Sequence, residues 1–170
     1  MIENLKFELR RTKRLGDGAL AQLDEADWRW RPDEEANSIA IIVQHMHGNM
    51  LSRWTDFLTA DGEKATRDRD GEFELQGHAP KELLARWEEG WRVCFAAVEP
   101  LGEADLARTV RIRGEPLSVL DAILRQVSHY AYHVGQIVFL ARSRRGAAWK
   151  SLSIPKVQSR QFNAGTYKRG

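Results

Sequence analysis

One long amphipathic stretch near the C-terminal third constrains the fold of this chain more than any other feature. Ser118 can serve as a helix N-cap, and Asp121 is the acidic residue three positions later. Apolar residues then recur at steps of three and four, as on one face of a helix: Leu117, Leu120, Leu124, Val127, Ala131, Val134 and Val138. The pattern predicts a single helix over residues 118–143.

Two histidines lie one helical turn apart within this stretch, in the segment Gln126-Val-Ser-His129-Tyr-Ala-Tyr-His133-Val-Gly-Gln136. Residues four positions apart on a helix point the same way, so both imidazoles can reach one metal ion without distorting the backbone. The residue after His129 is Tyr130, where a zinc protease needs a glutamate to activate water. The spacing therefore indicates a metal site, and the sequence excludes this class of protease.

Three further helices are predicted before it. The first covers residues 2–23, where Gly16 and Gly18 would allow a neighbouring helix to approach closely. The second covers about residues 38–60, after asparagine and serine N-caps. The third covers residues 80–99 and begins with a proline, which suits the first turn of a helix. Its apolar stripe consists of Leu84, Trp87, Trp91, Cys94 and Val98.

The remaining segments are predicted to be mostly irregular. Residues 63–79 form a polar loop, in which Asp68-Arg-Asp70-Gly71 lacks the glutamate that closes a calcium loop. Residues 106–115 alternate apolar residues with arginines before a Gly-Glu-Pro turn, which predicts a short extended segment or hairpin. We thus predict one all-α domain over residues 1–170, a four-helix bundle with a short extended segment before the last helix and an irregular tail over residues 146–170.

Charge and cysteine content narrow the function classes. The chain has 26 basic and 24 acidic residues that are interspersed, which gives no electrostatic reason to expect a nucleic acid or an anionic membrane as partner. Cys94 is the single cysteine, so no internal disulfide forms and a reducing compartment is suitable. The sequence has no apolar run of membrane-spanning length and no basic start typical of a signal peptide. We therefore expect a cytoplasmic protein.

A metal site built on two histidines needs at least one more protein ligand. The remaining histidines are His45, His47 and His78. His45 and His47 are two positions apart, about 200° round a helix, so they cannot both face one ion. His78 lies in a loop whose geometry no periodicity fixes. The residue pattern alone leaves the choice between His45 and His47 open.

Several segments resemble the DinB-like proteins, and more narrowly a bacterial subgroup of unknown function. The likeness is carried by residues 37–57, with His45 in Asn37-Ser-Ile-Ala-Ile-Ile-Val-Gln-His45, and by residues 112–123, 129–137 and 149–155. The resemblance implies a four-helix bundle of the DinB/YfiT-like kind. It also implies a divalent metal, most often zinc or nickel, on one histidine of the second helix and two of the fourth. Those positions here are His45, His129 and His133, and His47 has no counterpart.

The implied chemistry follows from the ligand set. Three neutral imidazoles do not offset the +2 charge of the ion, and they leave at least one coordination position open. A water bound at that position has its pKa lowered to roughly 7, and a thiol bound there is deprotonated. The resemblance points to thiol-dependent S-transferases and to metal-dependent hydrolases or isomerases. Asn49, Ser52 and Asp56 continue the face of His45 on the second helix and could orient a substrate or a ligand, and Gln126 and Gln136 beside the histidine pair could do the same. None of them is assigned a catalytic role.

Two hypotheses of function follow. The first is a metal-dependent enzyme, S-transferase-like or hydrolase-like, acting on a small molecule such as a low-molecular-weight thiol. The alternative is a non-catalytic metal- or ligand-binding protein with a stress-response or accessory role. An open pocket at the metal would favour the first hypothesis, and a sealed site would favour the second.

A homodimer is also predicted. The apolar arc of the last helix spans more than half of its circumference, since Val119, Ile123, Ile137 and Leu140 widen the stripe. A single neighbouring helix cannot cover so wide an arc, and a second subunit could cover the rest. The DinB-like proteins that the chain resembles are commonly dimers.

Overall fold

The computed structural model describes residues 1–155 and 159–165, which are mostly helical with one small sheet. The four long helices are α1 (Ile2–Leu20), α2 (Ile39–Trp54), α3 (Pro80–Val98) and α4 (Val119–Arg145). A hairpin of β1 (Thr109–Ile112) and β2 (Glu115–Ser118) precedes α4, and a short helix α5 (Ser159–Ala164) follows it. Short 3-10 turns lie at Glu25–Asp27, Gly71–Phe73, Glu103–Ala107 and Gly146–Ala148. The predicted mainly helical class is confirmed.

The starts of the helices follow the capping residues that the sequence indicates. Ser38 Oγ accepts a hydrogen bond from the Ile41 N–H at the start of α2, and Ser118 Oγ accepts one from the Asp121 N–H at the start of α4. Both bonds satisfy backbone donors that the first helical turn leaves free. The long last helix is therefore confirmed, and it extends to Arg145, two residues beyond the predicted end.

Two boundaries differ from the prediction. Helix α2 ends at Trp54 rather than near Ala60, because Thr55 leaves the helical region with a ψ of 123° and Asp56 then adopts a φ of 52°. The tail is not wholly irregular, since it contains the turn at Gly146–Ala148 and helix α5. The predicted tail residues 156–158 and 166–170 lie outside the described residues.

The core forms where the helices pack on one another. Helix α2 packs on α3, α1 packs on α4, and α2 also contacts α4. Gly16 allows the close approach that its sequence position predicts, because a Cβ there would lie only 2.5 Å from Trp87 Cζ2. The predicted stripe of α3 is wrong at one position, since Leu84 is 40% exposed and Leu83 is buried instead.

The buried face of α4 is not centred where its first stripe suggests. Leu124 and Ala131 are exposed, so their assignment to the stripe is wrong. Among the apolar residues, the core face is formed by Val119, Ala122, Ile123, Tyr130, Val134, Ile137, Leu140 and Ala141. The apolar arc of this helix is so wide that periodicity does not fix its centre, and contact with α1 and α2 decides it.

The hairpin is antiparallel, with Val110 opposite Leu117, and it confirms the predicted extended segment. Its turn uses Arg113 and Gly114, both at positive φ. The Asp61 carboxylate accepts hydrogen bonds from the backbone N–H groups of these two residues, at 2.8 and 2.7 Å. This contact fixes the hairpin against the segment that follows α2. No described helix has the length and apolar character needed to cross a membrane.

A buried polar contact joins α2 to α4. The Trp54 indole N–H donates to the Tyr130 hydroxyl at 2.8 Å, and that hydroxyl donates to Asn49 Oδ1 at 3.1 Å. All three side chains are buried. A buried donor without a partner is costly, so this chain of bonds restricts how the two helices can slide past each other.

We expect Tyr130→Phe to lower the free energy of unfolding by about 1–3 kcal/mol, because it leaves the Trp54 N–H and the Asn49 carbonyl without their partner. Urea denaturation followed by circular dichroism measures the change. Tyr132→Phe is the matched control, since Tyr132 is on the same helix and 63% exposed. Equal effects of the two substitutions would contradict the role of this contact.

Candidate metal site

Three histidines from two helices converge at one point. His45 extends from α2, and His129 and His133 extend from α4. His129 Nε2 lies 3.2 Å from His45 Nε2 and 3.0 Å from His133 Nε2. One ligand atom from each of the three residues lies within 4.8 Å of the others. The structure thus brings together the three residues proposed from the sequence, and such a group can hold a metal ion.

The other two histidines lie elsewhere. His47 Nε2 is 2.9 Å from Glu89 Oε2, so this side chain faces α3. His78 is in the loop before α3, with its Nε2 3.1 Å from Gln76 Oε1. Neither belongs to the histidine cluster.

A carboxylate lies behind His45. The His45 Nδ1–H donates to Glu72 Oε2 at 2.9 Å, and Arg67 donates to both oxygens of Glu72 at 2.7 Å. Burial alone would raise the pKa of Glu72, but the hydrogen bonds from Arg67 and His45 hold the pKa below its ordinary value. The ionised carboxylate keeps the proton of His45 on Nδ1, so Nε2 presents its lone pair to the cluster.

Helix α2 itself fixes the position of Glu72. Gln44 Nε2 donates to the carbonyl oxygens of Gly71, Glu72 and Glu74 at 3.1, 2.9 and 3.0 Å. Gly48 lies one turn after Gln44, and a Cβ at Gly48 would collide with the Glu72 carboxylate. The missing side chain of Gly48 therefore leaves the space that Glu72 occupies.

The second supporting contact is on α4. The His133 Nδ1–H donates to Gln136 Oε1 at 2.9 Å, which leaves His133 Nε2 as an acceptor. His129 lies between two such acceptors, and its own Nδ1 is buried without a partner among the described residues. One proton on His129 Nε2 can satisfy only one of the two neighbouring nitrogens, whereas a cation can accept lone pairs from all three. The donor set therefore fits a divalent metal.

The environment keeps the two imidazoles of α4 neutral. Burial, together with the neighbouring His133 and His45, lowers the pKa of His129 to about 3. Burial also lowers the pKa of His133 to about 4, against the opposing effect of its hydrogen bond to Gln136. A neutral imidazole has the free lone pair that metal coordination requires, so protons do not compete for these sites at neutral pH.

A cavity of about 420 Å³ opens at the histidine cluster. Of the polar residues named from the sequence, Asn49, Gln126 and Gln136 line it. Ser52 does not, because its hydroxyl donates to the Gly62 carbonyl and supports the loop after α2. Asp56 lies beyond the end of α2 and is exposed, so the expectation that it shares the His45 face is wrong.

Sequence reasoning missed the charged residues around the site. Glu72 and Arg67 come from the segment predicted to be a polar loop, and Arg113 comes from the hairpin turn. Arg125 was also missed, although it precedes His129 by one turn on the same helix and could have been found from that spacing. For the loop residues no periodic signal exists, because irregular backbone does not repeat.

The fold and the site define a mainly helical protein with a three-histidine cluster at an open cavity. Over residues 1–158 the chain matches a family described as "Protein of unknown function (DUF1572)", and it belongs to that family. No curated protein matches the chain.

We expect Gly48→Ala to destabilise the fold by about 1–3 kcal/mol, because the new methyl group collides with the Glu72 carboxylate. Gly135→Ala on α4 is the matched control, since a Cβ there meets nothing within 4 Å, and it should be neutral or stabilising by up to about 1 kcal/mol. Both free energies of unfolding are measured in urea.

A double substitution isolates the cause. In the Glu72→Ala background the methyl group of Gly48→Ala has room, so its cost should disappear. If Gly48→Ala were equally destabilising with and without Glu72, the collision would not be its cause.

Proposed function

We propose that the protein binds one divalent metal ion, zinc or nickel, through His45, His129 and His133. The observation that supports this most strongly is the convergence of three Nε2 atoms, with spacings of 3.2 and 3.0 Å between neighbours, at the wall of a cavity. The resemblance to DinB-like proteins, with their four-helix bundle and three-histidine site, supports the same assignment.

Each supporting residue has a definite task in this proposal. Glu72 and Gln136 hold protons on the Nδ1 atoms of His45 and His133, so their Nε2 atoms face the ion. Arg67 keeps Glu72 charged and in place through two parallel hydrogen bonds. A divalent ion held by three neutral imidazoles supplies Lewis acidity and lowers the pKa of a water or thiol ligand.

We further propose that the site is catalytic, in the manner of a thiol S-transferase or a metal-dependent hydrolase. The open cavity supports this, because a purely structural metal is enclosed by four protein ligands and needs no access for a substrate. Its volume of about 420 Å³ falls in the ~300–1,000 Å³ range of small-molecule sites. The substrate is accordingly a small molecule, and a low-molecular-weight thiol is the first candidate.

A non-catalytic metal- or ligand-binding role is the second candidate. It is favoured by the lining of the cavity, which among the described residues contains no carboxylate, serine, cysteine or lysine. A reaction here would have to draw its acid–base groups from the substrate, the metal ligands or Tyr132. This alternative predicts metal binding with no turnover.

The test is metal content and affinity in histidine variants. We expect the purified protein to take up one equivalent of zinc or nickel, and each of His45→Ala, His129→Ala and His133→Ala to weaken binding by more than about 100-fold. Elemental analysis and competition with a chromogenic chelator measure this. Turnover of a thiol with an electrophilic partner should fall in the same variants and after chelation of the wild type.

His47→Ala is the matched control, because His47 is on the same helix as His45 and faces Glu89 instead of the cluster. Its metal affinity should equal that of the wild type. Wild-type protein that binds no divalent metal, or that binds it equally well in His47→Ala and His45→Ala, would contradict the proposal. Activity that survives exhaustive chelation would contradict its catalytic part.

We also propose a homodimer that uses α4. Phe139 and Tyr132 are 68% and 63% exposed on this helix, and Leu124 is exposed as well, so no described residue covers this apolar part of its surface. Burial of such side chains against a second copy would be favourable. Because DinB-like proteins are commonly dimers, the resemblance supports the same state.

Light scattering is expected to give twice the chain mass of 19.5 kDa for the wild type and a shift toward 19.5 kDa for Phe139→Glu. The control is Leu75→Glu, which places the same charge at an exposed leucine outside α4. A wild type that is monomeric at micromolar concentration would refute the dimer.

A further inference from the structure

The cavity at the histidine cluster has a strongly cationic lining. Among the described residues that form its wall there are five arginines and no carboxylate. They come from four separate parts of the chain: Arg53 from α2, Arg67 and Arg69 from the loop after it, Arg113 from the hairpin and Arg125 from α4. Like charges gathered round one concave surface repel each other, so this arrangement calls for a compensating anion.

The carboxylates of the chain compensate these charges only in part. Glu63 is shared by three guanidiniums, those of Arg53, Arg67 and Arg113, at 2.9, 3.4 and 3.3 Å. Glu72 pairs with Arg67 and also accepts a hydrogen bond from His45. The positive charge at the cavity therefore exceeds the negative charge beside it, even before a divalent cation is added.

The two remaining arginines are the least compensated. Among the described residues, Asp70 is the one carboxylate that pairs with Arg69, at 3.9 Å and fully exposed, which is a weak pair, and the guanidinium otherwise lies 5.2 Å from the Phe73 ring centroid. Arg125 makes no hydrogen bond or ion pair with any described residue. It lies one helical turn before His129, so both side chains are on the same side of α4 and line the same cavity.

Unpartnered polar atoms deeper in the wall point to the same conclusion. Arg53 Nε is buried and has no partner within the described part of the chain, and the same is true of Gln126 Oε1. Both residues line the cavity. The guanidinium N–H can donate to an oxyanion, and a glutamine amide can rotate to present its N–H2 group to one. A buried polar group of this kind costs free energy until a ligand satisfies it.

We propose that the cavity recognises a small oxyanion, a carboxylate or a phosphate ester carried by the substrate, and that Arg125 is its principal binding residue. The guanidinium of Arg125 is free to form the two parallel hydrogen bonds that such anions accept. This inference rests on the proposed role of the cavity as a substrate site. It adds the charge class of that substrate, and the cavity volume of about 420 Å³ limits it to a small molecule.

Calorimetry with defined probes tests the proposal. Succinate and inorganic phosphate are titrated into the full-length protein, both zinc-loaded and zinc-free, with the uncharged succinamide as a reference. We expect at least one of the anions to bind at millimolar concentration or below, succinamide not to bind, and Arg125→Ala to weaken anion binding by at least about tenfold in both forms. Tighter binding of succinate assigns a carboxylate, and tighter binding of phosphate assigns a phosphate ester.

Arg142→Ala is the matched control, because Arg142 is also an exposed arginine of α4 and does not line this cavity. Its anion affinity should stay within about twofold of the wild type. Failure of both anions to bind, equal binding of succinamide, or equal effects of Arg125→Ala and Arg142→Ala would overturn the proposal. Zinc content is measured on the same samples. Wild-type protein that binds the anions but no zinc would refute the proposed metal site and not this inference.

Discussion

The packing of α2 against α4 is the interaction on which the rest of the structure depends. Each helix contributes part of the histidine cluster, and neither can form it alone. Tyr130 follows His129 in sequence, accepts a buried hydrogen bond from Trp54 and donates one to Asn49. These two bonds fix how the two helices face each other. Because α4 is continuous and capped at Ser118, this contact sets the position of His45 relative to two imidazoles at once.

Charge compensation is the second principle of the site. A buried ion pair such as Arg67 with Glu72 gains little net stability, because both ions lose water when they are buried. The ion pair instead holds Glu72 in place, and Glu72 directs the Nε2 lone pair of His45 towards the cluster. The same loop that supplies this carboxylate also supplies cations to the cavity wall, so one segment determines both the orientation of a ligand and the charge that a substrate would meet.

Much of the helical architecture could be predicted because amphipathic helices repeat in sequence. The caps at Ser38 and Ser118 and the hairpin before α4 were found from local signals that need no tertiary information. The errors lie where local signals are weak or ambiguous. Leu83 and Leu84 are adjacent on a helix, so either could face the core, and the contact of α3 with α2 chooses Leu83. The early end of α2 at Trp54 depends on the extended backbone of Thr55 and the positive φ of Asp56.

The sequence by itself determined that His129 and His133 share one side of a helix, because residues four positions apart on an α-helix lie on the same face. Its periodicity did not choose between His45 and His47 as the third member of the cluster, and within the sequence only the resemblance to a known family implied His45. Only the tertiary structure, through the facing of α2 and α4, brought His45 to the other two. Glu72 and the arginines of the cavity were decided in the same way, because loop residues distant in sequence become neighbours only when the chain packs.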